Sequence, residues 1–157
     1  MSATFELREV TSDDLPTLFE HQLDPEAARM AAFPARDRDA FTAHWARILA
    51  DDTVVIRAIV ADGALAGNVV SWVHGDERLV GYVIGRSFWG RGIATRALAE
   101  LLTLIPERPL HARVAKHNVA SLRVLEKCGF IVSGRDVVSL GNGVDIEEVV
   151  LVLEAGG

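Results

Sequence analysis

Residues 79 to 95 read Leu-Val-Gly-Tyr-Val-Ile-Gly-Arg-Ser-Phe-Trp-Gly-Arg-Gly-Ile-Ala-Thr, an apolar strand pattern passing through a glycine-rich turn into a helix. Such a turn leaves the first backbone N–H groups of the helix unpaired beside the positive end of its dipole, where a pyrophosphate can be received. Gly90 and Gly92 remove side chains that would block close approach, and Arg91 between them adds a positive charge. The same residues also suit a chain that merely needs to turn. Several other phosphate and acyl chemistries are excluded. A dinucleotide fingerprint needs a third glycine where Thr95 stands, and neither a Gly-Lys-Ser/Thr phosphate loop nor a Gly-x-Ser-x-Gly nucleophile elbow occurs.

A second segment, Asn118-Val-Ala-Ser-Leu-Arg-Val-Leu-Glu-Lys-Cys-Gly-Phe130, has a good structural explanation of its own. Asn118 suits a helix N-cap, Leu122, Val124, Leu125 and Cys128 a core face, and Gly129 a left-handed C-terminal cap before a strand at Phe130. His111 and His117 flank a short strand without an acidic third ligand in register, which reads as structure and not as metal. Cys128 reads as a buried inert thiol, and Trp45, Trp72 and Trp89 as core or pocket wall.

The elements that must position these residues follow from periodicity. Phe5 to Val10 alternates as a half-buried strand, and Thr11 to Asp14 caps a helix running to about Gln22. Asp24 to Arg38 is an irregular connection or a short helix around Ala27 to Met30, and Asp39 to Ala50 is helical. Thr53 to Ala61, Leu65 to His74 and Leu79 to Ile84 form a meander, turned by Asp62-Gly63 and by Gly75-Asp76. A helix over Gly92 to Ile105, a strand over Leu110 to Ala115, a helix over Asn118 to Cys128 and strands over Phe130 to Leu140 and Val144 to Leu153 complete the chain, with Gly141 to Gly143 as the last turn.

The fold class expected is α/β, a mixed sheet flanked by about four helices in one domain over residues 1–157. A chain of 157 residues, 50% hydrophobic and 24% charged, can bury a core unaided. Its net charge of −6 argues against a nucleic-acid partner. One cysteine makes no internal disulfide and no thiolate zinc site, and no apolar run approaches membrane length. We therefore expect a cytoplasmic protein with no metal and no membrane contact, working on a small molecule or a peptide.

Taken together, in this order and at this separation, the two segments resemble the acyl-CoA-binding half of the GNAT family of N-acetyltransferases. Trp89-Gly-Arg-Gly-Ile-Ala94 is similar to the family's pyrophosphate loop, and Asn118-x-x-Ser121 with Glu126 to Phe130 to the helix and strand that follow. Trp-Gly-x-Gly-x-Ala-Thr and Asn-x-x-Ser-x-x-Val-Leu-Glu-Lys-x-Gly-Phe further resemble the RimJ/RimL-like subgroup, which acetylates protein N-terminal amines and small amines. The resemblance implies a central, mostly antiparallel sheet in which the 79–84 and 110–115 strands start parallel and splay apart. It implies that the pantetheine of acetyl-CoA fills the splay against the backbone of Tyr82, Val83 and Ile84. Trp89, Gly90, Arg91, Gly92, Ile93, Ala94 and Thr95 form the pyrophosphate loop in this reading. Asn118 is then a pantetheine ligand and Ser121 a neighbour of the thioester sulfur, while Met30, Phe33 and Arg36 line the acceptor site.

The first position of the phosphate loop, usually Gln or Arg in the family, is Trp89, as is frequent in the subgroup, and the chain departs from the family pattern at two further positions. The tyrosine that many members use to protonate the leaving thiolate aligns with Leu125, leaving Ser121 as the available hydroxyl. The glutamate used as general base aligns with Arg78 or Leu79; Glu77, Asp76 and His74 lie just upstream, expected in the turn, where one could act through a water. An α-amine titrates near 8 and lysine near 10.4, so deprotonating lysine costs about 3.5 kcal/mol more. A weak base therefore favours a low-pKa amine, by direct attack on the thioester. The two empty positions also suit a rival class, an acyl-CoA sensor of the same fold without turnover. A third class, a CoA-independent interaction protein, requires a purely structural glycine loop. The acceptor, the acyl chain and the oligomeric state, a homodimer included, stay open.

Overall fold

A computed structural model describes residues 4–31, 35–139 and 143–155. Strand β1 (Phe5–Arg8) leads through a 3-10 turn at Ser12–Asp14 into α1 (Leu15–Leu23). The Asp14 carboxylate closes that start by accepting the Thr11 N–H at 2.9 Å, while the Arg8 guanidinium grips both its oxygens at 2.8 Å. This hydrogen-bonded guanidinium holds the Asp14 carboxyl below its ordinary pKa.

Helix α2 (Pro25–Ala31) settles the connection left open by periodicity as a short helix. Asp24 Oδ1 accepts the N–H groups of Glu26 and Ala27 at 2.9 and 3.1 Å, so an Asp-Pro start suffices for two turns. With α3 (Arg38–Ala50), α4 (Ile93–Leu104) and α5 (Val119–Lys127), the described residues hold five α-helices, one more than the estimate.

The remaining strands are β2 (Val55–Ala61), β3 (Ala64–His74), β4 (Glu77–Ile84), β5 (Leu110–Ala115), β6 (Ile131–Ser139) and β7 (Asp145–Leu153). Asp62 and Gly63 turn β2 into β3 with φ of 52° and 77°, the left-handed pair a tight hairpin demands. Most of the 141–143 turn lies outside the described residues, but β6 and β7 on either side of it pair antiparallel.

All seven strands form one sheet in the order β1-β2-β3-β4-β5-β7-β6. Every neighbouring pair is antiparallel except β4 and β5, which run parallel and meet only at Arg78↔Leu110 and Leu79↔His111. Meanwhile β3 follows β4 to its last residue, Ile84, and β7 follows β5 to Ala115. Beyond Leu79 and His111 the facing edges of β4 and β5 therefore diverge, each held only from its far side.

Helices cover both faces of the sheet. On one, the apolar stripe of α4 (Ile93, Ala97, Leu98, Leu101) and Leu125 of α5 pack against Ile59, Val69, Val80, Leu110 and Leu151. On the other, Leu18 and Phe19 of α1 meet Phe41 and Trp45 of α3 over Ile56, with the Phe19 and Phe41 rings edge-on at 5.3 Å. The first of these clusters fixes α4 and α5, the helices that start at the divergence, and the second fixes α1 and α3 on the opposite face. Among the described residues no helix is long and apolar enough to cross a membrane.

Candidate active site

The divergence of β4 and β5 leaves a cavity of about 200 Å³, lined among others by Met30, Val80, Tyr82, Ala112, Asn118 and Ser121. Along β4, Val80, Tyr82 and Ile84 alternate toward the α4 and α5 face, and all three pack on its core. Tyr82 thus reaches across to α5, where its hydroxyl donates to Ser121 Oγ at 2.9 Å. Burial pushes the Tyr82 phenol above its ordinary pKa, so it stays a proton donor. Ser121 is fixed in turn, because Asn118 Oδ1 accepts its backbone N–H at 3.2 Å and caps α5.

At the mouth of the slot the chain turns on Gly90 and Gly92, at φ of 78° and 74°. A Cβ added at either position meets nothing within 4 Å, so the space before the loop is open. No side chain caps α4, so the N–H groups of its first turn face that space. Three arginines lie in or beside the loop in sequence, each with a distant carboxylate partner: Arg86 with Asp24 at 3.5 Å, Arg91 with Asp62 at 3.8 Å and Arg96 with Glu100 at 3.8 Å, the last two also stacked over the Phe88 and Phe5 rings. Exposed pairs of that length are worth little, which leaves their charge for an anion. Glycine start and open space fit a pyrophosphate.

Trp89 anchors this loop. Its indole N–H donates to the Ile84 carbonyl at 2.9 Å, with the Arg86 guanidinium 5.8 Å from its ring centre. The Ile84 carbonyl has a second lone pair, so this contact leaves it able to accept a further N–H. Tyr82 and Ile84 present their backbone to the splay, whereas the Val83 carbonyl faces Gly67 of β3 and its side chain is exposed at the tip.

The other candidates separate. Met30 lines the slot, and α2 is tied over the slot by His117, whose Nε2 lies 2.7 Å from the Arg29 carbonyl. Arg36 is exposed and does not line the cavity; Gln22 clamps its backbone on both sides, at 2.7 and 2.8 Å. Phe33 lies outside the described residues. His74 and Glu77 are not turn residues as expected, because the two-residue turn at Gly75-Asp76 makes them the terminal pair of β3 and β4. His74 is exposed there, whereas Glu77 Oε2 lies 3.3 Å from His111 Nε2 at the closed end of the splay. Arg78, aligned with the family's carboxylate, turns away to Ser71, the Thr53 carbonyl and Glu107. Leu125 is buried in the core.

Three features escaped the sequence reading. The Tyr82 hydroxyl is one, although strand alternation placed it on the side of Val80 and Ile84. The Glu77 and His111 pair is another, readable only once the parallel register is known. The third is His21 of α1, packed so closely on Gly85 that a Cβ there would lie 2.6 Å from Nε2. Burial holds that imidazole below its ordinary pKa, and its Nδ1 has no hydrogen-bond partner.

A larger hollow, about 480 Å³, lies against Leu102, Arg108, Cys128 and Glu154. Cys128 is half-buried, with its thiol pushed up by burial and directed at the Thr95 carbonyl, 3.6 Å away, so no activated nucleophile faces this hollow. No group of three or more His, Cys, Asp or Glu among the described residues is arranged to hold a metal ion.

Solved structures share this architecture. A GNAT-family acetyltransferase from Bacillus anthracis superposes with a TM-score of 0.83 at 14% identity, covering 96% of this chain and 94% of that one. Spermidine N-acetyltransferase from Vibrio cholerae, solved with CoA and spermine, gives 0.83 at 17% identity over 96% and 95%. A probable acetyltransferase gives 0.78 at 24% identity over 96% and 93%. The sequence has no significant match among curated proteins. The family model for the acetyltransferase (GNAT) domain matches residues 4–131, a span running from β1 past both slot helices, and the chain belongs to that family.

Proposed function

We propose that this chain is an acetyl-CoA-dependent N-acetyltransferase, acting as one domain over residues 1–157, whose acceptor is a primary amine of low pKa such as a peptide N-terminal α-amine. The observation that carries the reading is the splay itself: two strands paired at only two positions open onto an uncapped glycine helix start that carries Arg91 in its loop. Acetyl-CoA, when bound, supplies the activated acyl group. The backbone of Gly90 to Thr95, with Arg91, holds its pyrophosphate, and the Tyr82 to Ile84 stretch of β4 receives the pantetheine amides as an added strand does, through the edge-facing backbone of Tyr82 and Ile84. Asn118 and Ser121 face it from the start of α5, and a backbone N–H near Val83 or Ile84 polarises the carbonyl. Met30 of α2 borders the acceptor side. The Trp89-Gly-x-Gly-x-Ala-Thr and Asn118-x-x-Ser motifs support a RimJ/RimL-like enzyme. The single, half-buried thiol suits the reducing cytoplasm.

The chain's residues bind and orient, and they leave the amine to arrive neutral. No carboxylate stands at the family's base position, where Arg78 is tied elsewhere. Rate then follows the neutral fraction of the acceptor. An α-amine near pKa 8 outperforms a lysine side chain near 10.4 by about a hundredfold or more at neutral pH. An amine and peptide library scored by release of free CoA tests this. The inflection of rate against pH should move with the pKa of the amine; one fixed near 6 to 7, whatever the amine, would reveal a dedicated base, for which Glu77 with His111 and the buried His21 are the residues to examine.

The buried Leu125 and the diverted Arg78 also favour a second reading, an acyl-CoA sensor without turnover. Tight acetyl-CoA binding by calorimetry with no CoA release across the library would establish it.

A further inference from the structure

We infer that Tyr82 and Ser121 form a two-hydroxyl proton relay to the leaving sulfur, in which a strand tyrosine does the work that Leu125 cannot. This inference deepens the proposed acetyl transfer and rests on it. A serine hydroxyl alone is a poor acid, because giving up its proton leaves an alkoxide that nothing stabilises in a half-buried slot. Here a second donor stands behind it. Tyr82 O–H points at Ser121 Oγ over 2.9 Å, and both residues line the slot cavity. A hydroxyl that accepts from one partner keeps its own proton free to donate forward.

The remaining geometry fixes the direction of transfer. The Ser121 backbone is held in the first turn of α5, its N–H donating to Asn118 Oδ1 at 3.2 Å, and its Oγ is met by the Tyr82 hydroxyl. Tyr82 is held from β4 with its ring on the α4 and α5 core. It is the single tyrosine of the chain, so the phenol has no substitute. During transfer the amine nitrogen bonds to the acyl carbon, and the carbon–sulfur bond breaks with its electron pair on sulfur. Ser121 gives its hydroxyl proton to that sulfur and takes the phenol proton of Tyr82. The proton shed by the nitrogen passes to water, and water returns one to the phenolate. Tyr82 touches the sulfur only through Ser121, which makes it a positioning residue and Ser121 the catalytic one.

A tyrosine that merely bars the empty slot predicts the opposite kinetics, so Tyr82→Phe, Ser121→Ala and the double variant decide. With the relay, Tyr82→Phe lowers kcat at least about tenfold and removes the alkaline limb of its pH profile. CoA affinity by calorimetry then stays within about twofold, and the double variant is no worse than Ser121→Ala within about twofold, because the two act as a unit. A second readout needs no turnover. The phenolate absorbance of the wild type reports Tyr82 alone, and its titration should shift when CoA binds and not shift in Ser121→Ala. Retained kcat with tighter CoA binding in Tyr82→Phe, or a phenol titration indifferent to CoA, overturns the relay. If Tyr82→Phe fails to fold, the wild-type phenol titration still decides. A wild type that acetylates no amine fails at the proposed function instead, a result separable from loss of the relay alone.

Discussion

Helices α4 and α5 both begin at the slot, yet α4 starts on left-handed Gly92 with no side chain closing its first turn, whereas α5 starts on Asn118, whose Oδ1 takes the Ser121 N–H. A helix start has a fixed number of orphan donors, and a start that supplies its own acceptor has fewer left for a ligand. Glycine at an N-cap costs only a few tenths of a kcal/mol relative to serine or asparagine. The open start is thus inexpensive in stability, and Arg91 lies in its loop. Under the proposed function, the two helix ends divide the work, one receiving charge and the other positioning a hydroxyl.

The largest effect is expected at a third start, the one before α1, which is closed by a charge. Asp14→Asn should cost about 2 kcal/mol in urea unfolding at neutral pH, since it weakens a buried cap and its guanidinium partner. The folded pKa of Asp14 is depressed, so its contribution is present above the ordinary carboxylate range and is lost as pH falls through the folded value. Wild type and variant should converge in acid. A constant difference at every pH would separate this start from its charge.

Next comes the open start. Gly92→Asn keeps a residue that tolerates the left-handed conformation and puts a side chain into the empty space, so acetyl-CoA binding should weaken at least tenfold, about 1.4 kcal/mol. Gly92→Val would add backbone strain at φ 74° and is the less clean probe. Unchanged affinity would erase the contrast between the two helices.

At the capped start, Asn118→Ala should lower stability by about 1 kcal/mol, and Asn118→Ser should restore most of it. Melting temperature and CoA dissociation constant measured on both variants sharpen the division. Affinity lost in both would give Asn118 a ligand role in addition to its cap.

The smallest effect belongs away from either start. Glu77→Gln disturbs a half-exposed contact to His111, and turnover should change by about threefold or less. A large loss would move the chemistry to the closed end of the splay.

Much of this division was legible in the sequence. The glycine loop, the Asn118 cap, the α4 stripe and the meander rest on local rules of turn, cap and period, and the structure carries them with boundaries moved by a residue or two. What stayed hidden depends on register between distant strands. Glu77 meets His111 because β4 and β5 align in parallel at Leu79↔His111, which no local pattern encodes. The indole N–H of Trp89 donates to the Ile84 carbonyl, a contact between loop and strand that no local rule encodes. Arg36, near Met30 in sequence, is drawn off by Gln22, fourteen residues away along the chain.

Because the β4 and β5 edges touch at two positions only, the sheet is mechanically two plates, four strands and three, hinged at one corner. Such a seam is compliant in the empty protein, and a ligand that spans it with backbone-like amides welds the plates into one. The inner-edge amides of β4 and β5 beyond Leu79 and His111 should therefore exchange with solvent far faster than those of β2 and β3, and slow sharply when CoA is added. The stiffness of the whole sheet then becomes a property of the ligand as much as of the chain.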